Sequence, residues 1–177
     1  MLNRISKAGY LKNKLFLPVL LLVAVSLVSC GIYTFKDISI PPEIKTIKLN
    51  FIENKARYVN PQLSPRLTNR LQDKIVNQTR LSRTENEDAD WVVSGYISNY
   101  AVTTSGISGQ QASTNRLTVG AHIKLKDNKN LKEDEFDVTK SFEFNATQTL
   151  QQAEAALTDQ IIQGLSDEIF NRLFSNW

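Results

Sequence analysis

The chain has 177 residues, 41% hydrophobic and 8% aromatic, with a formal net charge of +3. That apolar and aromatic content excludes a compositionally disordered chain, and a single cysteine excludes a scaffold held by internal disulfides. The positive charge is local. Arg4, Lys7, Lys12 and Lys14 lie at the N-terminus among no acids, and without them 17 basic residues face 18 acidic ones, so the apparent pI near 9.0 argues nothing for nucleic-acid binding.

The basic N-terminus runs into an apolar stretch, Leu15 to Val28, interrupted only by Pro18 and Ser26. This is the pattern of a signal peptide, residues 1–29. It is short for a transmembrane helix, which takes about 20 apolar residues. The stretch ends in Leu27-Val28-Ser29-Cys30, which resembles the bacterial lipobox. Small residues before the cut admit the chain to the peptidase, and the Cys30 thiol is the nucleophile that takes the diacylglycerol. An uncleaved signal anchor with a buried cysteine is the competing reading.

Residues 30–43 form a tether stiffened by Pro41-Pro42. Ile44 to Ile52 follows as a strand, with Ile47, Leu49 and Phe51 alternating with Lys48 and Asn50. A helix comes next, capped by Asn60 with Pro61 first, or by Ser64 with Pro65 first. Leu63, Leu67, Leu71 and Ile75 make its apolar stripe, with Val76 alongside. Leu81 to Thr84 is a short strand. The acidic run Glu85-Asn86-Glu87-Asp88 has neither a nearby His or Cys nor the calcium-loop spacing, so a solvated turn outweighs a metal site.

Trp91 to Thr104 is predicted as a long strand with Trp91, Val93, Gly95 and Ile97 on one face and Val92, Ser94, Tyr96, Ser98 and Tyr100 on the other. Gly95 marks either a close approach or a bulge. Ser105 to Ser113 suggests a flexible loop. Arg116 to Lys126 is the clearest strand: Leu117, Val119, Ala121, Ile123 and Leu125 face one way, and Arg116, His122, Lys124 and Lys126 face the other. Asp127 to Glu135 is a charged turn region, and Asp137 to Asn145 returns as a strand antiparallel to the previous one. Leu150 to Phe174 is a long amphipathic helix, capped by Thr149, whose stripe is Ala153, Leu157, Ile161, Leu165, Ile169 and Leu173.

Strand, helix, about four strands and helix make an α+β fold: a two-layer sandwich with two helices on one face of a four- to five-stranded, mixed but mainly antiparallel sheet, in one domain over residues 44–177. The crossover through the first helix implies a parallel pair. Chemistry is sparse. His122 is the sole histidine and has no nucleophile motif beside it, and no zinc cluster or phosphate-binding loop is present. A binding or scaffolding role is favoured over an enzyme, with no cofactor beyond the covalent lipid on Cys30. The candidate contact face carries Arg116, His122, Lys124 and Lys126, joined by Tyr96 and Tyr100. Basic groups there suit phosphate or carboxylate, while an ordinary solvated sheet face is the competing reading.

Residues 30–56, CGIYTFKDISIPPEIKTIKLNFIENKA, resemble the start of the LptE family of lipopolysaccharide-assembly lipoproteins in its Bacteroidetes-like form. Cys30-Gly31, Tyr33-Thr-Phe35, Ile40-Pro41, and the strand ending near Phe51 and Asn54 carry the resemblance. The Leu63, Leu67, Leu71 helix and Asp90-Trp-Val-Val-Ser-Gly95-Tyr-Ile extend it. The resemblance implies an outer-membrane lipoprotein facing the periplasm, acylated on Cys30 (with palmitate or a similar chain). It also implies that the chain plugs and helps assemble the LptD-like β-barrel that inserts lipopolysaccharide into the outer leaflet. Residues after Cys30 lack a retention aspartate, which agrees with that location. A free-standing periplasmic lipoprotein that binds a glycan or small ligand is the alternative.

Overall fold

A computed structural model of the protein describes residues 40–108 and 111–175. The signal peptide, Cys30 and the tether up to residue 39 lie outside the described residues. Strands β1 (Thr46–Leu49), β2 (Glu53–Asn54), β3 (Ser82–Arg83), β4 (Trp91–Ser108), β5 (Gln111–Asp127) and β6 (Lys132–Asn145) form one sheet, in the order β3-β1-β4-β5-β6 with β2 also on β4. Helices α1 (Leu63–Gln78) and α2 (Leu150–Phe174) cover one face. The α+β class holds, with six strands in place of four or five. β1 is parallel to both β3 and β4, as the crossover through α1 requires, and β4, β5 and β6 are antiparallel.

The N-terminal strand is shorter than its alternation suggests. Ile47 and Leu49 point into the core, but the chain then breaks. Ile52 turns inward, fully buried, and Phe51 is left 56% exposed. The Thr68 hydroxyl on α1 accepts the Ile52 N–H at 3.1 Å and donates to the Ser64 carbonyl at 2.8 Å, which holds the break against the helix. α1 starts at neither predicted cap. Asn60 instead organises a preceding turn, its Oδ1 accepting the Gln62 N–H at 3.0 Å, and Pro65 falls within the first helical turn, where no intrahelical partner is lost. Val76 is half-exposed rather than core. α2 behaves as expected. Thr149 and Gln152 make a capping box, and the Ala153 to Leu173 stripe is buried apart from the half-buried Leu157.

Of the expected loop at Ser105 to Ser113, the described residues 105–108 and 111–113 are strand. β4 continues to Ser108 and β5 begins at Gln111, so the two form one long hairpin. Small, hydroxylated residues suit a turn in isolation, yet each also accepts a ladder bond once a partner strand runs beside it. The charged turn shrinks for the same reason: Lys132 to Phe136 pairs with Ile123 to Asp127. Only Asn128 to Leu131 turns, with Leu131 at φ 51°. Ile40 to Ile44, expected largely as tether, packs onto the domain. Ile40 and Ile44 are buried, and Arg80 donates to the carbonyls of Ile40 at 2.8 Å and Pro41 at 2.7 Å.

Gly95 is a close approach, not a bulge. A Cβ there would lie 2.5 Å from the His122 carbonyl oxygen and 2.7 Å from Ile123 Cδ1. Gly95→Ala is therefore expected to lower the urea midpoint, with a cost of about 1–3 kcal/mol from overpacking.

Asp90 fastens the start of β4 to β1. Its Oδ2 accepts the N–H groups of Lys45 at 2.8 Å and Thr46 at 3.0 Å, while its own N–H donates to Thr46 Oγ1 at 2.9 Å. The Lys45 N–H above all, then that of Thr46 and the Lys129 ammonium, outweigh burial and hold the carboxyl down at about 2. A carboxyl depressed in the folded state stabilises the fold above its unfolded value near 3.8 and loses that contribution as pH falls towards 2. Asp90→Asn should lower the melting temperature at pH 7, and the gap from the parent should narrow steadily between pH 4 and 2. Thermal melts across that window check it.

Candidate functional site

The sheet face opposite the helices carries the predicted contact residues. Because β5 and β6 are antiparallel, directly opposed residues share a face, and the register sets each base of β5 against an acid of β6. Arg116 Nη2 lies 2.9 Å from Glu143 Oε1. His122 Nδ1 lies 3.0 Å from Asp137 Oδ1, with its Nε2 3.6 Å from Glu135. Lys124 Nζ lies 2.6 Å from Glu133 and 3.3 Å from Glu135. The Lys124 ammonium is held above its ordinary pKa, mainly by its hydrogen bond to Glu133, and the same bond lowers Glu133. Lys126 stands opposite Glu133 at the end of the row. Between the charged ends, Thr118 and Ser141 share a hydrogen bond at 3.0 Å.

The face is thus a cross-strand ladder of both signs rather than a basic patch. β5 taken alone showed the bases; the acids stood on the next strand, and pairing brought the two together. For a phosphate or carboxylate ligand, Arg116 and Lys124 already have an anion in place and His122 a carboxylate beside it, which weakens the attraction.

Tyr96 and Tyr100 part company. Tyr96 lies on the outward face, its ring 5.2 Å from that of His122, with Lys55 Nζ 4.8 Å from the Tyr96 ring centroid. Tyr100 lies on the helix face. The ladder shifts between Ile97↔Ala121 and Asn99↔Gly120, so Ser98 and Asn99 together oppose Gly120 and the alternation flips. Tyr100 then pairs with the buried Val119 and is itself only 5% exposed. Its expected place beside Tyr96 is corrected accordingly; one extra residue in β4 is enough to reverse every side chain beyond it.

Inward, Tyr100 meets a cluster that sequence spacing did not suggest. Its hydroxyl donates to Glu154 Oε1 on α2 at 2.6 Å, Asn60 Nδ2 donates to the same oxygen at 3.1 Å, and Tyr58 donates to Oε2 at 3.2 Å while stacking on Tyr100 at 5.2 Å. Burial, chiefly, then the bond to Glu154, raises the Tyr100 pKa above the ordinary tyrosine value, and the same causes raise Tyr58. This cluster ties the β2–α1 loop and β4 to the first turns of α2. Arg66 pairs with Asp159, Lys74 with Asp167 at 2.6 Å and Lys140 with Glu168 at 2.8 Å, so the polar side of α2 is spent on α1 and β6. Among the described residues no cluster of three or more His, Cys, Asp or Glu could hold a metal, and no helix is long and apolar enough to cross a membrane.

The geometry defines a small α+β sandwich, one face covered by helices and the other a broad, internally paired polar surface suited to contact. The model of the LptE family, described as lipopolysaccharide-assembly, matches residues 44–173, and the chain belongs to that family. No curated protein matches the chain. Among solved structures, a minor lipoprotein from Acinetobacter baumannii is 15% identical with a TM-score of 0.50, covering 73% of this chain and 92% of that one. A putative neuraminyllactose-binding hemagglutinin homolog from Helicobacter pylori is 14% identical with a TM-score of 0.51, covering 81% of this chain and 90% of that one. At such identities these structures bear on the fold alone. Family membership implies involvement in lipopolysaccharide assembly.

If the acids of β6 neutralise the bases of β5, removing them should expose a basic surface. Glu133→Gln with Glu135→Gln and Asp137→Asn is expected to raise the salt concentration needed to elute the protein from a heparin column well above that of the parent. An unchanged elution would show that the ladder does not mask the cations.

Proposed function

We propose that this chain is an outer-membrane lipoprotein, anchored by lipid on Cys30, that assembles with and plugs an LptD-like β-barrel and so aids delivery of lipopolysaccharide to the outer leaflet. The observation that carries this reading is the match to the LptE family over nearly the whole folded domain. The sheet face supports it. Interiors of large outer-membrane barrels are polar and wet, and a surface whose charges are mostly matched in pairs can enter such a space while stranding few of them. Its hydroxyls and Tyr96 remain available for hydrogen bonds across the contact. Lipopolysaccharide contact by Arg116, His122, Lys124 and Lys126 would require the ladder to open, so these residues fit a transient encounter better than a standing phosphate site. The role is structural and recognitional rather than catalytic.

The test is to tag the C-terminus of the full chain, extract outer membranes in mild detergent and identify what co-purifies. A large β-barrel in near-equal amount is expected, and Cys30→Ser should remove the chain from the outer-membrane fraction. A lone monomer, with every large barrel folding normally in cells lacking the chain, would overturn the reading.

A further inference from the structure

The sheet has two long strands with an open edge, and they differ sharply. β6 borders the sheet along its length, and seven of its 14 residues are charged: Lys132, Glu133, Asp134, Glu135, Asp137, Lys140 and Glu143. Charges on an edge strand repel an incoming strand. The other open edge belongs to β4. Its first half is occupied: β1 pairs with Trp91 to Val93 and β2 with Tyr96 and Ile97. The Val93 carbonyl accepts the Asn50 N–H at 2.8 Å and the Ile97 carbonyl accepts the Lys55 N–H at 3.0 Å. Beyond Ile97 no strand among the described residues pairs on that side.

The backbone direction follows from the ladder. Val93 and Ile97 turn their backbone groups away from β5, and the bulge carries the same orientation on to Tyr100, Val102 and Thr104, opposite Val119, Leu117 and Asn115. Among the described residues, these three, spanning about 13 Å, thus present N–H and C=O groups that pair with nothing. No charge guards them, since residues 91–115 contain no Asp, Glu, Lys or Arg. Neither proline nor lysine interrupts the stretch. Val102 is 39% exposed on one face, and the small residues Ala101 and Thr103 occupy the other.

We propose that the distal edge of β4, Tyr100 to Thr104, accepts an extended, uncharged segment of the barrel partner as an added strand. This rests on the barrel reading above and deepens it. The unpaired ladder dictates an extended backbone as the occupant, and the absence of charge favours a neutral one. On the helix face Val102, 39% exposed, would receive its branched or aromatic side chains.

Proline separates pairing from folding here. At Val102 the N–H faces the open edge, so Val102→Pro leaves the β4–β5 ladder intact and removes a donor needed only by an added strand. Val102→Lys puts a repelling charge on β4 should the proline variant not fold, and Val76→Lys, at a half-exposed position on α1, places the same charge away from the sheet edge and the contact face. Each tagged full-length chain is expressed in its own outer membrane, its thermal melt measured after purification, and the co-purifying barrel quantified. The expected result is at least a tenfold loss of barrel with Val102→Pro or Val102→Lys, at an unchanged melting temperature, and parental recovery with Val76→Lys. Parental recovery with both folded Val102 variants would overturn the edge contact and leave the barrel reading standing. No barrel with the parent chain would overturn both, and the parent sample alone reveals that case.

Discussion

Strand β4 must satisfy two kinds of neighbour at once. On one edge it runs parallel to β1 and β2, on the other antiparallel to β5. A parallel pair cannot be closed by a tight turn, so its register has to be set by something other than a hairpin. Asp90 does this. Placed one residue before β4, its carboxylate gathers the amides of Lys45 and Thr46 while its own amide returns to Thr46. With Trp91 then opposite Ile47, the core residues Val93, Ile97, Leu117, Val119, Ala121 and Ile123 come to the face that α1 and α2 cover.

From that starting register the hairpin propagates until Ser98, where one extra residue turns the strand over. The consequences are opposite on the two faces. The helix face gains Tyr100 and, through it, the Glu154 cluster that holds α2 and the β2–α1 loop together. The outer face loses an aromatic and keeps a smoother surface of Ala101, Thr103 and Thr118. Beyond the bulge β4 has outrun β1 and β2. A strand that is central for its first half becomes an edge for its second, which is why one uncharged segment is both core and open border.

The helices contribute mass to the core, and their polar sides are committed as well. Lys74 reaches Asp167 and lies over the ring of Phe170, and Arg172 lies over Phe136. Such pairs are individually weak where exposed; their effect is to keep the helix layer's charges matched within the domain. With the ladder on the other face, charges are largely matched on both sides of the domain, which suits the proposed place against or inside a barrel.

Local periodicity and local chemistry were legible from the sequence. The α2 stripe and its Thr149 cap, the alternation of β5 and the family resemblance of residues 30–56 all depend on neighbours a few positions apart. The α+β class followed from their order. What the sequence left open depended on partners distant along the chain. The hydroxylated residues 105–108 and 111–113 became strand because β4 and β5 supplied each other's hydrogen bonds. Phe51 faced outward because Ile52 was drawn to Thr68. Tyr100 moved to the core because Gly120 accommodated two residues of β4, and the bases of β5 lost their apparent availability because β6 set acids opposite them. Alternation assigns faces only within an unbroken strand, and charge has meaning only with its neighbours in place; both are set by register, which is a property of the assembled sheet.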